Sequence, residues 1–169
     1  LGRGEGFDFV DETKGGPIPR EFMPAVESGA RDALEAGPFR GYPVVDVRAV
    51  VTDGSAHEVD SNDVAFKIAA GLAFREAYAK GAPLLLQPVM LVEVVTPEAH
   101  MGDVMNDLVS RGGNIVQMRP SPGDTQTILA EAPLANMFGY ATALRSLTQG
   151  RATYTMEPHS YEPVAPDKS

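Results

Sequence analysis

The sequence predicts an α+β protein built from two domains, residues 1–86 and 87–169. Runs of β-branched residues with a period of two alternate with apolar stripes spaced for helices. A long helical stripe ends at Gly81-Ala82-Pro83, which is a natural break between domains. From Gln87 onward the elements follow the order strand, helix, strand, strand, helix, strand, which predicts the split βαβ or ferredoxin-like arrangement.

Two strands and one helix are predicted in the first part of the first domain. A short strand covers Phe7–Val10, and a half-buried strand covers Tyr42–Val51. Between them Pro24 suits the first turn of a helix, and Gly37 is expected to end that helix as a left-handed cap followed by Pro38. The apolar stripe of this helix consists of Val26, Gly29, Ala30, Ala33 and Leu34.

The second helix of the first domain is expected to run to about Lys80, with Asp60 or Ser61 as its N-cap. Its apolar residues are Val64, Ala65, Ile68, Ala69, Leu72, Ala73 and Ala77. Because they occupy much of the helix circumference, we expect this helix to be largely covered.

Strong local signals delimit the elements of the second domain. Thr96-Pro97-Glu98 follows an apolar strand and supplies a cap, a proline and a first-turn acid to the next helix. Ser121-Pro122-Gly123-Asp124 is typical of the turn between the second and third strands. A second helix ends at Gly150, the last strand follows it, and residues after 158 are expected to be a frayed terminus.

Composition and charge exclude several classes of protein. Because the 169 residues include no Cys, the chain has no disulfide framework, thiolate zinc site or thiol nucleophile. No run of apolar residues approaches the roughly 20 needed to span a bilayer, and no membrane partner is expected. The net charge is -9 and both halves are acidic, so any contact with RNA must be local, because binding by phosphate neutralisation needs a basic face.

The most concentrated polar cluster lies between a strand and a helix and consists of Asp53, Ser55, His57, Glu58, Asp60, Ser61 and Asp63. An enzyme or metal site would use His57 as a base or ligand, but the spacing disfavours it: Ser61 stands where a second histidine is needed, and the calcium-loop pattern is unmet. Capping and turn formation explain most of the acids. His57 is expected at a loop tip, either solvated or contacting a partner.

Two other nucleic-acid sites find no support in the sequence. No glycine-rich segment carries the residues of a nucleotide-binding loop. Base stacking on a ferredoxin-like sheet needs aromatic side chains, and Thr125–Glu131 contains neither an aromatic nor a basic residue.

Several motifs in the first domain resemble domain IV of bacterial elongation factor G. They are Gly15-Gly16-Pro17-Ile18-Pro19-Arg20-Glu21-Phe22, Gly41-Tyr42-Pro43-Val44-Val45-Asp46-Val47, Asp53 to Ser61 and Ala65-Phe66-Lys67-Ile68-Ala69. Motifs similar to domain V of that family are Val94-Val95-Thr96-Pro97-Glu98, Met101-Gly102-Asp103-Val104, Pro133 to Thr142 and Gln149-Gly150-Arg151. The resemblance implies a ribosomal-S5-domain-2-like first domain, incomplete at its N-terminus, followed by a ferredoxin-like second domain.

The resemblance also implies a function. The chain would be a C-terminal, ribosome-engaging fragment of a cytoplasmic GTPase that moves tRNA and mRNA, and the fragment itself would be monomeric. The first domain would enter the decoding region of the small subunit, and the second would contact the large subunit near the stalk base and the sarcin-ricin loop. The implied contact residues are Ser55, His57, Glu58, Asp60, Ser61, Arg111, Gly112 and Gly113. No catalytic, cofactor or metal residue is expected in the fragment, because GTP and magnesium would bind the parent protein elsewhere.

The sequence departs from the family pattern at two places. Ala56 stands where the family commonly has an aromatic residue, and Arg111-Gly112-Gly113 stands where two arginines often precede a glycine. These departures leave open a paralogue specialised for ribosome recycling, or a tetracycline-type ribosome-protection factor. A hydrolase built on His57 and a protein-binding module are the alternatives from other classes.

Overall fold

The computed structural model describes residues 1–37 and 40–164, which form an α+β protein of two units, Leu1–Pro83 and a second unit that starts at Leu84. The units divide three residues earlier than the boundary expected from the sequence. The residues at the junction explain the difference. Leu86 is already the first residue of a strand, and the carbonyl oxygen of Leu85 accepts the N–H of Val164 at 2.9 Å.

The first unit contains two parallel strands and two helices. β1 is Phe7–Asp11, α1 is Met23–Leu34, β2 is Val47–Val51 and α2 is Asp63–Lys80. β1 and β2 pair in parallel, and α1 lies between them in the chain, as a parallel pair requires a crossover. The core contains Ile18, Val26 and Phe66, with Phe9, Phe22, Met23, Ala25, Val51 and Ala70 packed against them.

The predicted apolar stripe of α1 is confirmed, since its five residues are the buried residues of that helix. Gly29 lies where the two helices approach most closely: a Cβ atom there would be 2.1 Å from the carbonyl oxygen of Lys67 in α2. The predicted left-handed cap at Gly37 is wrong, because α1 ends at Leu34 and Gly37 has no positive φ. Instead, the Gly37 N–H donates to the carbonyl oxygen of Tyr42 at 2.9 Å. The expected Pro38 lies outside the described residues.

Two boundaries near the polar cluster also differ from the prediction. β2 begins at Val47 and not at Tyr42, because Asp46 has a left-handed φ of 60° and its carboxylate accepts the Gly6 N–H at 3.0 Å. This hydrogen bond holds the pKa of the Asp46 carboxyl below its ordinary value of 3.8. The N-cap of α2 is Asn62, whose side-chain oxygen accepts the Ala65 N–H at 2.9 Å, so the prediction of Asp60 or Ser61 as the cap is wrong.

The prediction that α2 is largely covered is wrong. Phe66 is its one buried residue, whereas Val64, Ile68 and Leu72 are 67%, 58% and 60% exposed. A groove of about 620 Å³ in the same unit is lined by β2 and by further apolar residues of α2, including Ala73 and Phe74. Helical periodicity shows that a face is apolar, but it does not identify which segment packs on that face.

The second unit is a four-stranded antiparallel sheet with two helices. Its elements are β3 Leu86–Pro97, α3 Met101–Ser110, β4 Asn114–Ser121, β5 Thr125–Pro133, α4 Tyr140–Leu147 and β6 Thr153–Pro163. The strand order β4-β5-β3-β6 confirms the predicted ferredoxin-like arrangement. The core joins one side of the sheet to both helices through Met90, Val92, Val94, Val104, Leu108, Ile128, Ala130, Ala132, Met137, Tyr140 and Leu144.

The prediction of a frayed terminus after residue 158 is wrong for residues 159–163. β6 continues to Pro163, which lies opposite Leu86 in the antiparallel pairing with β3. The polar and proline-containing sequence of this segment resembles a loop, but the long strand β3 offers it a partner. Residues 165–169 lie outside the described part of the chain. Within that part, no helix has the length and apolar character needed to cross a membrane.

Candidate functional site

The polar cluster forms an exposed loop between β2 and α2. Its outer part is closed by two hydrogen bonds between His57 and Ser61: the His57 N–H donates to the Ser61 Oγ at 2.7 Å, and the Ser61 N–H donates to the His57 carbonyl oxygen at 3.1 Å. Val59, midway between these residues, is 92% exposed. The backbone of the loop is therefore fixed by its own hydrogen bonds, while its side chains face solvent.

The base of this loop contacts the core of the first unit. Gly54 lies against Ile18, since a Cβ atom at Gly54 would be 2.5 Å from the Ile18 Cδ1 atom. Asp53 accepts the Gly54 N–H at 2.8 Å through its carboxylate. Exposed loop residues held on a packed scaffold are a common arrangement for contacts with partners.

The structure places Ser55, His57, Glu58 and Asp60 in this one loop with exposed side chains, and Ser61 half-buried beside them. Asp63 belongs to the first turn of α2. Among the residues that the structure describes, no group of three or more His, Cys, Asp or Glu side chains is arranged to hold a metal ion. The arrangement offers hydrogen-bonding groups to a partner and not a set of convergent ligands.

Arg111, at the end of α3, is held by contacts within the second unit. Its Nε donates to the Asp107 carboxylate at 2.8 Å, and its Nη1 donates to the carbonyl oxygens of Asn136 at 2.9 Å and Phe138 at 3.4 Å. The guanidinium carbon lies 5.2 Å from the centre of the Tyr140 ring. In return, the Asn136 side-chain amide donates to the Arg111 carbonyl oxygen at 2.8 Å. We call these five residues the Arg111 clamp.

Gly112 and Gly113 make a compact turn next to the clamp. Gly112 has a φ of 75°, which favours glycine, and a Cβ atom at Gly113 would be 2.7 Å from the Leu108 carbonyl oxygen. Both backbone N–H groups are bonded internally, to Val109 and Leu108, at 2.9 Å each. The Arg111–Gly113 turn is therefore shaped by the fold itself, and its contact with a partner remains a prediction.

Two family models match the chain one after the other. The model described as elongation factor G, domain IV, matches residues 1–82, and the model described as elongation factor G C-terminus matches residues 84–169. The chain belongs to the elongation factor G family.

Individual members of the elongation factor G family match along nearly the whole chain. Elongation factor G of one Dehalococcoides mccartyi strain is 56% identical over 159 residues, which are 94% of this chain and 23% of that protein. Elongation factor G of Thermotoga maritima is 53% identical over 165 residues, which are 98% of this chain and 24% of that protein. A crystal structure from Thermus thermophilus has a TM-score of 0.86 and 40% identity, and the match covers 97% of this chain and 25% of that one. The chain spans about a quarter of the length of these relatives.

In this elongation factor G segment, three residues that the sequence pattern did not mark as candidate site residues lie next to Arg111: Asn136, Phe138 and Tyr140. Phe138 is 80% exposed, whereas Tyr140 is 1% exposed, and within the described chain its hydroxyl has no hydrogen-bond partner. Burial raises the pKa of the Tyr140 phenol far above its ordinary value. The sequence did contain a sign that Phe138 is exposed. Phe138 is an aromatic residue that follows Met137 but lies outside the apolar stripe that begins at Met137.

Proposed function

We propose that this chain is the ribosome-engaging portion of a cytoplasmic translation elongation factor that promotes GTP-dependent translocation of tRNA and mRNA. The observation that carries the proposal is the match of both domains, in order, to elongation factor G over residues 1–82 and 84–169. The exposed loop around His57 supports it, because a loop fixed by internal hydrogen bonds can enter a narrow site without first becoming ordered.

In this proposal the loop of the first unit enters the decoding region of the small subunit and contacts tRNA and mRNA. Ser55, His57, Glu58, Asp60 and Ser61 are the proposed contact residues. Because the chain has a net charge of -9, the loop acts by filling space and by a few local hydrogen bonds, and not by neutralising phosphates. Several tethered contacts can share the affinity of a multidomain factor, so one domain need not hold RNA tightly.

The second unit is proposed to contact the large subunit near the stalk base and the sarcin-ricin loop. Arg111, Gly112 and Gly113 form the turn assigned to this contact. We assign GTP and magnesium binding to the part of the parent protein that lies outside this quarter of its length. Hydrolysis there controls the position of the loop in the decoding region.

A chimeric factor tests the proposal directly. Thermotoga maritima elongation factor G, in which the matching quarter is replaced by this chain, should bind ribosomes and catalyse single-round translocation of tRNA. The unmodified factor is the positive control, and the factor truncated before the matching quarter is the negative control. A chimera that binds ribosomes and hydrolyses GTP but translocates no better than the truncated factor would contradict the proposal.

The division of labour between loop and GTPase is tested with His57→Ala in the chimera. Translocation should slow while ribosome-stimulated GTP turnover stays unchanged, because the substituted side chain is exposed and lies outside the proposed GTP site. His159→Ala, which alters a surface histidine in the other unit, is the matched control. Equal losses of translocation and GTP turnover in His57→Ala would refute the proposed division.

A further inference from the structure

Phe138 is exposed because of its position in the fold and not because its segment is loosely held. It follows the short 3-10 helix Leu134–Asn136 and precedes Gly139, whose φ of 74° allows the chain to turn into α4. The neighbouring Met137 and Tyr140 are buried at 5% and 1%, so the backbone on both sides of Phe138 is anchored in the core.

The Arg111 clamp fixes the same backbone from the other side. Arg111 donates to the carbonyl oxygens of Asn136 and Phe138, and Asn136 donates back to the Arg111 carbonyl oxygen. The Arg111 side chain is 19% exposed and that of its partner Asp107 is 21% exposed, so solvent screens these bonds less than it would a surface ion pair. The ring of Phe138 is thus an exposed apolar group on a rigid support.

An exposed aromatic ring on an anchored backbone has two common partners, an unpaired nucleobase and an apolar protein pocket. The position of Phe138 favours the base. Its carbonyl oxygen accepts a hydrogen bond from Arg111, whose turn is proposed to contact the large subunit near the sarcin-ricin loop. The acidity of the chain also favours a base as the partner, because a domain without a dense basic face needs a contact with RNA that does not depend on charge. Stacking on an aromatic ring is such a contact, because every base has a flat face.

We propose that Phe138 stacks on an unpaired base of large-subunit ribosomal RNA, and that the hydrogen bonds of Arg111 hold the Phe138 backbone in place for this contact. The inference rests on the proposed function and assigns a chemical mode of contact to the second unit. No phosphate contact by the Arg111 side chain is required.

The test uses the chimeric factor with Phe138→Ala, Phe138→Leu and Phe138→Trp, and isolated large ribosomal subunits as the probe. Phe138→Ala should weaken binding by about fivefold or more, which corresponds to the low end of base–aromatic stacking. Phe138→Leu should bind almost as weakly as Phe138→Ala, because Leu keeps apolar volume but has no flat ring. Phe138→Trp should bind at least as well as the unsubstituted chimera.

Three controls separate this contact from general effects. Tyr161→Ala removes another exposed aromatic ring, 61% exposed on β6, and should leave binding unchanged. Because stacking releases few counterions, the ratio of dissociation constants for Phe138→Ala and the unsubstituted chimera should be the same at low and high salt. Since Phe138 is exposed, the thermal unfolding of all three variants should match that of the parent.

Photocrosslinking then identifies the partner. A benzoylphenylalanine residue in place of Phe138 should crosslink to ribosomal RNA. A crosslink to ribosomal protein alone, or Phe138→Leu binding as well as the unsubstituted chimera, would overturn the proposal in favour of an apolar protein pocket. A chimera that fails to bind ribosomes overturns both the proposed function and this inference, whereas undiminished binding of Phe138→Ala overturns this inference alone.

Discussion

Replacing Gly29 with Ala should destabilise the first unit by about 2 kcal/mol. A Cβ atom at position 29 would lie 2.1 Å from the Lys67 carbonyl oxygen and 2.8 Å from the carbonyl carbon, and this backbone cannot rotate away as a side chain could. The two helices must therefore move apart, and forced overpacking of this kind costs about 1–3 kcal/mol, with the upper end expected for so close an approach to a backbone atom. The change also removes glycine from a helix interior, which by itself gains about 0.5–1 kcal/mol and offsets part of the loss.

Two other helical glycines provide a graded comparison. A Cβ atom at Gly71 in α2 would lie 3.3 Å from the Gly29 carbonyl oxygen, and one at Gly102 in α3 would meet nothing within 4 Å. Gly102→Ala should therefore stabilise its unit by about 0.4–1 kcal/mol, because Ala loses less conformational freedom on folding. The change in stability caused by Gly71→Ala should lie between those caused by Gly29→Ala and Gly102→Ala.

Hydrogen exchange is the appropriate assay, because it reports the opening free energy of each unit separately and does not assume one unfolding transition. Gly29→Ala should raise exchange rates in α1 and α2 while the amides of the second unit keep their protection. Chemical denaturation of the whole 169-residue chain provides a second measure. If Gly29→Ala and Gly102→Ala shift stability in the same direction, the close approach of α1 and α2 at this position is refuted.

Three further predictions concern the two candidate surfaces and the segment before β2. Ser61→Ala should slow translocation by the chimera, because the loop loses the hydroxyl that accepts the His57 N–H. Ser61→Thr keeps a hydroxyl and should restore the rate. Equal translocation rates for the two variants would contradict this role of Ser61. Arg111→Lys should lower the stability of the second unit by about 1–2 kcal/mol in thermal unfolding, nearly as much as Arg111→Ala, since an ammonium group cannot replace the guanidinium fork. A lysine variant as stable as the parent would refute the clamp. Because the pKa of Asp46 is lowered in the folded protein, the Asp46 carboxylate stabilises the fold fully at pH values above the ordinary pKa of 3.8. This stabilisation is lost as the pH falls through the lowered pKa. Asp46→Asn should therefore abolish that part of the acid dependence of hydrogen exchange in β1 and β2.

Periodicity predicted much of the fold because it reflects local geometry. The stripe of α1 and the strand–helix order of the second unit both follow from residues close together in the chain. Choices between neighbouring caps were less predictable. Asp60, Ser61 and Asn62 are all good N-caps, and the structure selects Asn62 for α2 while Ser61 bonds to the loop instead. Their intrinsic preferences differ too little to decide such a choice.

The candidate surfaces were predictable in position but not in mechanism. The loop around His57 follows from the concentration of polar residues between a strand and a helix, yet the paired hydrogen bonds that fix it do not show in the sequence. The Arg111 clamp joins residues 25 and 27 positions apart, a separation that no helix or strand period connects. The resemblance implied that Arg111 contacts a partner, while the fold gives its side chain internal partners.

The two candidate surfaces share one physical arrangement, which would let the proposed ribosome contacts form despite a net charge of -9. In each, hydrogen bonds made within the unit hold the backbone, and the exposed groups are Val59 and His57 in one and Phe138 in the other. Such contacts lose little ordering entropy on binding, so a small number of them suffices when other domains contribute affinity. They also lack the strong electrostatic attraction that would slow release. Under the proposed function, a factor that leaves the ribosome after each step benefits from specific but individually weak contacts, and both candidate surfaces are suited to contacts of that kind.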